Sequence, residues 1–365
     1  MKIALVTSLQ RGGPLEQALA LARCLAATGD AVQVVCTGAQ AAERFTQVGA
    51  RSAEISLRHP LDLPAARRVW AAVEGADVVH AHDRRSGLWV RLGPRPRRDG
   101  VRVYTVHGLP EPYLPPPVGP SRPGLRAKVA YGGLDRALAH RADAVVVPSQ
   151  AVADILVRRL GFPSERLRVV PNGVEPFAIE PGPVECVGTV SVLEPVKGLD
   201  VFLRAAALVA ARRPAVHFAI FGEGSQRGAL EALAGELGLD DRVIFHGHVA
   251  QARSFAELGV FVLSSHMENS PMALLEALAA GVPAVVTRVG GVPEITGEDA
   301  ATLVPAGDHT ALAHGIEQLL DDPARRADQA AAGRRRVAER HTARRNAQAM
   351  RDVYERALHE RRARA

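Results

Sequence analysis

The sequence predicts an α/β protein built from two doubly wound parallel-sheet domains, and three observations carry that expectation. Apolar runs of about four to seven residues recur along the chain, mostly separated by segments with helical spacing rather than by hairpin turns. Such runs suit strands buried on both faces, the situation of a parallel sheet covered by helices on each side. A strand, a glycine turn and a helix open the chain, and a second series of the same kind begins after Pro171-Asn172-Gly173. The length of 365 residues suits two domains better than one.

Lys2 to Thr7 is the first strand, a run rich in β-branched residues that leads to Gly12-Gly13-Pro14, after which Leu15 to Thr28 continues as an amphipathic helix. Ala31 to Cys36, Ala76 to His80, Val101 to Val106 and Ala142 to Val147 repeat the strand signal. The second series expects strands at Val184 to Val190, Ala215 to Phe221, Arg242 to Phe245, Val260 to Leu263, Pro283 to Thr287 and Ala301 to Val304. Its helices are expected at Leu199 to Arg213, Gln226 to Leu237, Met272 to Ala280 and Ala311 to Leu320. Pro176, Pro181 and Pro183 mark the junction, giving domains at 1–175 and 176–340. The arginine- and alanine-rich tail has helical spacing, and 341–365 is expected to pack back over the junction. No short-period repeat is present.

Composition narrows the function classes. Hydrophobic residues at 47% and charged ones at 23% exclude a disordered or fibrous chain. No stretch of about 18 uncharged apolar residues occurs, and the run from Ile3 to Leu9 stops at Gln10 and Arg11, too short for a secretory signal. Cys24, Cys36 and Cys186 form no Cys-x-x-Cys, which excludes a disulfide framework and a zinc ribbon. A cytoplasmic protein with reduced thiols is expected. The formal charge of +6 divides unevenly: up to Phe177, 24 basic residues face 15 acidic ones (+9), and the remainder has 21 against 24 (−3). The basic excess suits an anionic surface such as lipid headgroups, or it is a solvated arginine-rich face. Aromatic residues, only 4%, do not interleave with the arginines, so nucleic acid is not expected as a partner.

Open parallel sheets bind ligands at the carboxyl ends of their strands, so the chemistry belongs to the loops there. Gly12-Gly13 lies between a strand and a helix, where free N–H groups make either an anion site or simply a tight turn. It lacks the Gly-x-Gly-x-x-Gly spacing, which disfavours a nicotinamide dehydrogenase. Lys197 is one of three lysines beside 42 arginines, and it sits in a loop just before Gly198 and a helix. A compact ammonium there suits a phosphate oxygen. In Ser264 to Ala280, Asn269 or Ser270 is expected to cap a helix whose first residue is Pro271, leaving backbone donors for another anion. Glu268 precedes that helix, whereas Glu276 lies within it among alanines and leucines, a costly place for a carboxylate that nothing hydrogen-bonds. From Pro271 to Glu276 the rise is about 7 to 8 Å, so the two glutamates suit opposite ends of a diphosphate-linked ligand. His80-Ala81-His82-Asp83 and His246-Gly247-His248 suggest metal pairs, but if the strand continues through them the two histidines of a pair are expected on opposite faces and so not to share a metal. No Asp-x-Asp occurs, and no metal is expected.

These segments resemble the retaining glycosyltransferases of family 4, which have the GT-B fold of two facing Rossmann-like domains with a cleft between them. Glu268 and Glu276 match the family's Glu-x7-Glu motif, within ENSPMALLEALAAGVPAVVTRVGGVPE. QRGGPLEQALALARCLAATG, ADVVHAHD, VYTVHG, ADAVVVPSQAV, RVVPNGVEPF, VKGLDVFLRA, FGEGS and RVIFHGHV extend the resemblance over nearly the whole chain. It implies Gly12 and Gly13 near the donor phosphates and Lys197 on the diphosphate. Glu268 would hold sugar hydroxyls with help from N–H groups around Asn269, Ser270, Pro271 and Met272, Glu276 would hold the ribose, and His107 would lie beside the transferred sugar. The family commonly reads Gly-Arg-Leu where this chain has Ser191, Val192 and Leu193, so a bidentate phosphate contact is absent. Arg288 or Arg11 is the expected substitute. Gly259 stands where the family often has aspartate.

The resemblance therefore implies transfer of a hexose-type sugar from a nucleotide-diphosphate sugar to an acceptor hydroxyl. The acceptor expected is lipid-linked or a polysaccharide precursor. No metal or cofactor takes part, and the departing phosphate accepts the acceptor proton. Domain closure near residue 175 would exclude water. The loop from Gly108 to Gly124, with seven prolines around Tyr113 and Leu114 and a basic segment after it, is expected to meet the acceptor or an anionic membrane. The alternatives are a sugar-nucleotide epimerase and, because of Val192, a catalytically reduced binding protein.

Overall fold

The computed structural model describes residues 1–10, 12–57, 59, 62–109, 114, 118, 124–125, 129, 133–175, 179–249 and 251–364, with the side chains of 251 and 252 excepted. Two compact units are formed. The first comprises Met1–Pro112, Arg122–Gly173 and Ala343–Ala365, and the second Tyr113–Ser121 and Val174–Thr342.

The first unit carries β1 (Lys2–Thr7), β2 (Ala31–Cys36), β3 (Arg51–Glu54), β4 (Val78–Ala81), β5 (Val101–Thr105), β6 (Ala144–Val147) and β7 (Leu167–Val169). They pair in parallel in the order β3-β2-β1-β4-β5-β6-β7. β1, β4, β5 and β6 are almost wholly buried, as the continuous apolar runs require. β3 and β7 were not expected from the sequence. They are the two edges of the sheet, and Arg-Ser-Ala-Glu and Leu-Arg-Val carry too little apolar character to announce a strand.

Around this sheet lie α1 (Gly13–Ala27), α2 (Ala39–Gln47), α3 (Leu63–Ala72), α4 (Arg84–Leu92), α5 (Asp135–Ala139) and α6 (Gln150–Leu160). Asp62, Asp83 and Ser149 accept from the backbone N–H three residues on and so start α3, α4 and α6, the last of which ends at Gly161 in the left-handed region.

The second unit carries β8 (Cys186–Val190), β9 (His217–Phe221), β10 (Val243–Gly247), β11 (Val260–Leu263), β12 (Ala284–Thr287) and β13 (Thr302–Val304), all parallel, in the order β10-β9-β8-β11-β12-β13. Its helices are α7 (Leu199–Arg212), α8 (Arg227–Glu236), α9 (Gln251–Ala256), α10 (Met272–Ala280), α11 (Val292–Thr296), α12 (His309–Asp321) and α13 (Pro323–Arg340). One apolar layer, including Phe202, Phe218, Ile220, Val262 and Leu312, covers one face of the sheet, while Phe221, Phe255, Phe261, Leu274 and Val286 cover the other.

The last helix, α14 (Ala343–Arg362), belongs to the first unit. Ala347, Met350, Val353, Tyr354, Ala357 and Leu358 recur at helical spacing and join the core that holds Leu15, Leu21 and Val103. Gln17 donates to Asn346 at 3.0 Å, Asn346 donates to the Pro171 carbonyl at 2.7 Å, and Arg351 meets the buried Asp30 at 2.7 Å. Among the described residues no helix is long and apolar enough to cross a membrane.

Strand order changes direction between β1 and β4 in the first unit and between β8 and β11 in the second. Loops leaving the carboxyl ends at such a switch point diverge and leave a crevice, which is where open α/β sheets bind ligands.

Candidate active site

In the second unit the switch point joins the loop 191–198, which follows β8, to the segment 264–271, which follows β11. Lys197 closes a single 3₁₀ turn, Pro195–Lys197, and Gly198 follows with φ 57° at the head of α7. That glycine is required twice, because the backbone is left-handed and a Cβ would strike the Ser264 carbonyl oxygen. Ser264 Oγ donates to the Lys197 carbonyl at 3.0 Å, and His266 N–H donates to the Val196 carbonyl at 2.8 Å. The two loops are thereby tied together, and their side chains meet. Lys197 Nζ lies 2.7 Å from Glu268 Oε1, and Ser265 Oγ donates to the same oxygen at 2.6 Å. The lysine side chain is 21% exposed and the glutamate 8%, so a largely buried carboxylate holds an ammonium at the crevice.

Glu268 is fixed from behind as well. Its carbonyl accepts from Gly291 N–H at 3.1 Å, and Thr287 Oγ1 donates to the Ser265 carbonyl at 2.7 Å. Gly290, with φ 47°, passes so close that a Cβ there would collide with the Glu268 carbonyl oxygen.

The helix after Glu268 departs from the sequence expectation in one respect. Pro271 is extended (φ −67°, ψ 119°) and precedes α10, which begins at Met272, and neither Asn269 nor Ser270 supplies a side-chain cap. The first-turn N–H groups of α10 have no intrahelical partner and stand at the positive end of the helix dipole. Glu276, one turn on, is 5% exposed and lies among Leu274, Leu275, Ala277 and Leu278.

Val192 is 48% exposed, two residues after the end of β8. Arg288 leaves β12, the neighbour of β11, two residues before Gly290; its side chain is 53% exposed and 4.0 Å from Glu298. Arg11 lies outside the described residues. Gly259 has a structural reason: Pro183 and Val184 backbone atoms occupy the space a side chain would need.

The first unit places Gly12, Gly13 and His107 at the carboxyl ends of β1 and β5, on either side of β4. Gly12, at φ 94°, precedes α1 without a side-chain cap, and Gly13 is the first helical residue. His107 meets a residue that sequence reasoning had set apart. His80 and His82 were expected on opposite faces, but side chains two residues apart in an extended segment share a face, and the two rings lie 4.1 Å apart. His82 Nδ1 is 3.3 Å from His107 Nε2, with the rings stacked at 5.5 Å. His80 is engaged at both nitrogens, by Tyr354 Oη at 2.7 Å and Thr105 Oγ1 at 2.6 Å. His246 of the other histidine pair stacks on Phe221 at 4.4 Å. Among the described residues no group of three or more His, Cys, Asp or Glu is arranged to hold a metal ion.

Burial lowers all three clustered histidines: His80 to about 3, His107 to about 4 against the opposing pull of Asp83, and His82 well below the ordinary value. They are neutral at pH 7. A histidine whose folded pKa is depressed contributes stability that is complete above its unfolded value near 6.5 and is lost as pH falls towards the folded one. Thermal stability is therefore expected to decline from about pH 6.5 downward, by up to about 1.4 kcal/mol per pH unit for each histidine. Melting curves between pH 7.5 and 5 check this, and a flat Tm across that range would contradict it.

Lys197 and Glu268 thus meet beside the second unit's switch point, with Asn269, Ser270, Pro271 and Met272 following Glu268 to the head of α10 and Glu276 buried within that helix, while Gly12, Gly13 and His107 follow neighbouring strands of the first unit's sheet. Sequence reasoning missed the contacts of Ser264, Ser265, Thr287, Gly290 and Tyr354, and weighed His82 only as a metal partner of His80. The serine pair preceding Glu268 was the one local signal; the others act across strands.

The profile described as glycosyl transferases group 1 matches residues 177–336, and that described as glycosyltransferase family 4 matches residues 11–176. A GDP-mannose-dependent alpha-(1-6)-phosphatidylinositol monomannoside mannosyltransferase of Mycolicibacterium smegmatis is 30% identical over 80% of this chain and 82% of its own. A D-inositol 3-phosphate glycosyltransferase of Acidothermus cellulolyticus is 32% identical over 67% of this chain, which spans only 60% of that relative's length. Among solved structures, Anabaena HepE in complex with UDP and glucose superposes with a TM-score of 0.82 at 19% identity, covering 97% of this chain and 99% of that one. Sucrose-phosphate synthase from Thermosynechococcus elongatus gives 0.80 at 21% identity, over 99% and 100%. The likeness to these structures is one of fold, two Rossmann-like parallel sheets.

Proposed function

The chain belongs to the glycosyl transferases of group 1, family 4, and from that membership we propose that it moves a hexose-type sugar from a nucleotide-diphosphate sugar to an acceptor hydroxyl with retained anomeric configuration. The observation that carries the proposal is the Lys197–Glu268 pair beside the uncapped start of α10. Breaking the bond between the anomeric carbon and phosphate creates an oxocarbenium-like centre and puts additional negative charge on the nucleoside diphosphate. Lys197 and the α10 N–H groups are preorganised to meet that charge, and the leaving group needs no metal ion or cofactor to be stabilised. The departing phosphate then takes the proton of the attacking hydroxyl on the same face of the sugar.

Glu268 has two roles in this reading: it keeps the ammonium extended and half-buried before the donor arrives, and it binds sugar hydroxyls afterwards. Glu276 holds the ribose, Gly12 and Gly13 approach the phosphates, and neutral His107 contacts the transferred sugar. The relatives' names support a lipid-linked or envelope-polysaccharide acceptor, and the basic excess of the first half supports reversible contact with an anionic membrane. The prolines from Pro110 to Pro123, with Tyr113, Arg122, Arg126 and Lys128, lie outside the described residues.

The test is a thermal-shift screen against UDP-, GDP- and ADP-sugars, followed by proton NMR of the product's anomeric coupling. Stabilisation by one donor class and a product with the donor's configuration are expected; no stabilisation by any donor and no transfer would refute the assignment. Val192→Arg provides a second check. A guanidinium at this exposed position adds a charge-assisted hydrogen bond to the diphosphate, so the variant is expected to bind donor about tenfold more tightly. Calorimetric titration of parent and variant measures this, and an unchanged Kd would place Val192 away from the phosphates.

A further inference from the structure

We propose that His82 is a positioning residue whose Nδ1–H donates to His107 Nε2, fixing the His107 proton on Nδ1 and making that nitrogen the ring's single donor. The inference rests on the reading of His107 as the histidine beside the transferred sugar.

The geometry begins with the backbone. His82 follows β4, which lies between β1 and β5, and its N–H donates to the Val6 carbonyl at 2.9 Å, so the residue is anchored beside β1. Its side chain is fully buried, with the His80 ring at 4.1 Å and the His107 ring at 5.5 Å. A neutral imidazole has one donor and one acceptor nitrogen. His82 Nε2 is buried and has no hydrogen-bond partner, whereas Nδ1 lies 3.3 Å from His107 Nε2. Placing the proton on Nε2 would strand an N–H donor in the interior. Placing it on Nδ1 satisfies the donor and leaves only a lone pair against the packing, and stranded buried donors are the rarer case. His107 Nε2 must then accept, and its own proton resides on Nδ1.

His80 cannot take over this role, because the Tyr354 and Thr105 hydroxyls occupy both its nitrogens. Instead it forms the wall against which the His82 ring packs. Tyr354 comes from α14, so the terminal helix braces the histidine stack from below. Burial keeps the three rings neutral, which preserves the donor–acceptor order. Asp83, the carboxylate whose charge acts on His107, is already held by Ser8 and Ser86. With the wrong tautomer, His107 would present a lone pair where a sugar hydroxyl oxygen needs a donor.

The test is long-range ¹H–¹⁵N NMR of the full chain labelled in histidine, at pH 7.5 without donor, with assignments from His82 and His107 variants. The expected spectrum shows His107 protonated at Nδ1 and unprotonated at Nε2, and His82 protonated at Nδ1. His82→Leu is expected to mix the His107 tautomers and lower kcat about tenfold with little change in donor KM. His82→Asn retains an N–H near the Nδ1 position and is expected to restore a single tautomer and most of kcat. A His107 proton on Nε2 in the parent, or a His107 spectrum unmoved by His82→Leu, overturns the proposal. Should a variant fail to fold, the parent spectrum decides alone. Should no donor be turned over, the transferase reading fails, whereas the tautomer measurement still judges the histidine pair.

Discussion

Lys197→Ala is expected to lower kcat about 100- to 1000-fold, the loss typical of removing one preorganised donor from a developing oxyanion. Two features of the structure make the effect large. The lysine side chain is only 21% exposed, so water cannot readily replace it, and Ser264 holds the Lys197 carbonyl at 3.0 Å, which fixes the backbone from which the ammonium is presented. Lys197→Arg is expected to recover little, since a planar fork has neither the size nor the point-charge geometry of the ammonium that now fits beside Glu268. Removing the lysine also leaves a carboxylate that is 8% exposed without its counter-charge, with Ser265 still donating at 2.6 Å. A loss of about 1 to 3 kcal/mol of stability accompanies that change, seen as a Tm lower by several degrees. Single-turnover kinetics at saturating donor separates the two consequences. A chemical step within threefold of the parent would remove Lys197 from the leaving-group role.

Gly290→Ala is expected to be nearly as damaging, although glycine 290 carries no chemistry. At φ 47° an added Cβ is strained, and it would also collide with the Glu268 carbonyl oxygen and approach Met267 Cε at 3.1 Å. The oxygen belongs to the backbone and cannot rotate away, so the segment bearing Glu268 must move. The expected results are a stability loss of about 2 to 4 kcal/mol and donor binding weakened at least about tenfold. Gly307→Ala is the control: its φ is 78°, but nothing lies within 4 Å of the added carbon. That variant should lose about 1 kcal/mol from backbone strain alone and bind donor normally. Equal donor affinity in the two variants would show that the tight passage beside Glu268 is not what shapes the site.

Both expectations depend on contacts between residues far apart in the chain, and this divides what was legible from what was not. The buried strands β1, β4, β5, β6, β8, β9, β11 and β12 could be read because each is apolar on both faces, and the end of α10 at Ala280 could be read from the glycine that follows it. Lys197, Glu268 and Glu276 stood out because each breaks a local statistical pattern: a lysine among arginines, a carboxylate at a helix start and a carboxylate on an apolar helix. β3 and β7 were hidden because an edge strand is defined by its neighbour's hydrogen bonds rather than by its own side chains. Pro271 outside α10 and the membership of α14 in the first unit were hidden for the same kind of reason, whereas the closeness of His80 and His82 follows from the strand period of two and was misread.

By itself the sequence determined the fold class, the alternation of strand and helix, and the residue types available for holding a charged ligand, since these follow from short-range periodicity and from unusual residues at identifiable turns. Only the tertiary structure decided that Lys197 meets Glu268, that Ser265, Thr287 and Gly290 hold the carboxylate in place, and that Tyr354 and His80 stand behind His82 and His107. Strand order brings loops about 70 residues apart to one sheet edge. No periodicity in a single chain encodes that order, because it is selected by the packing of the whole sheet.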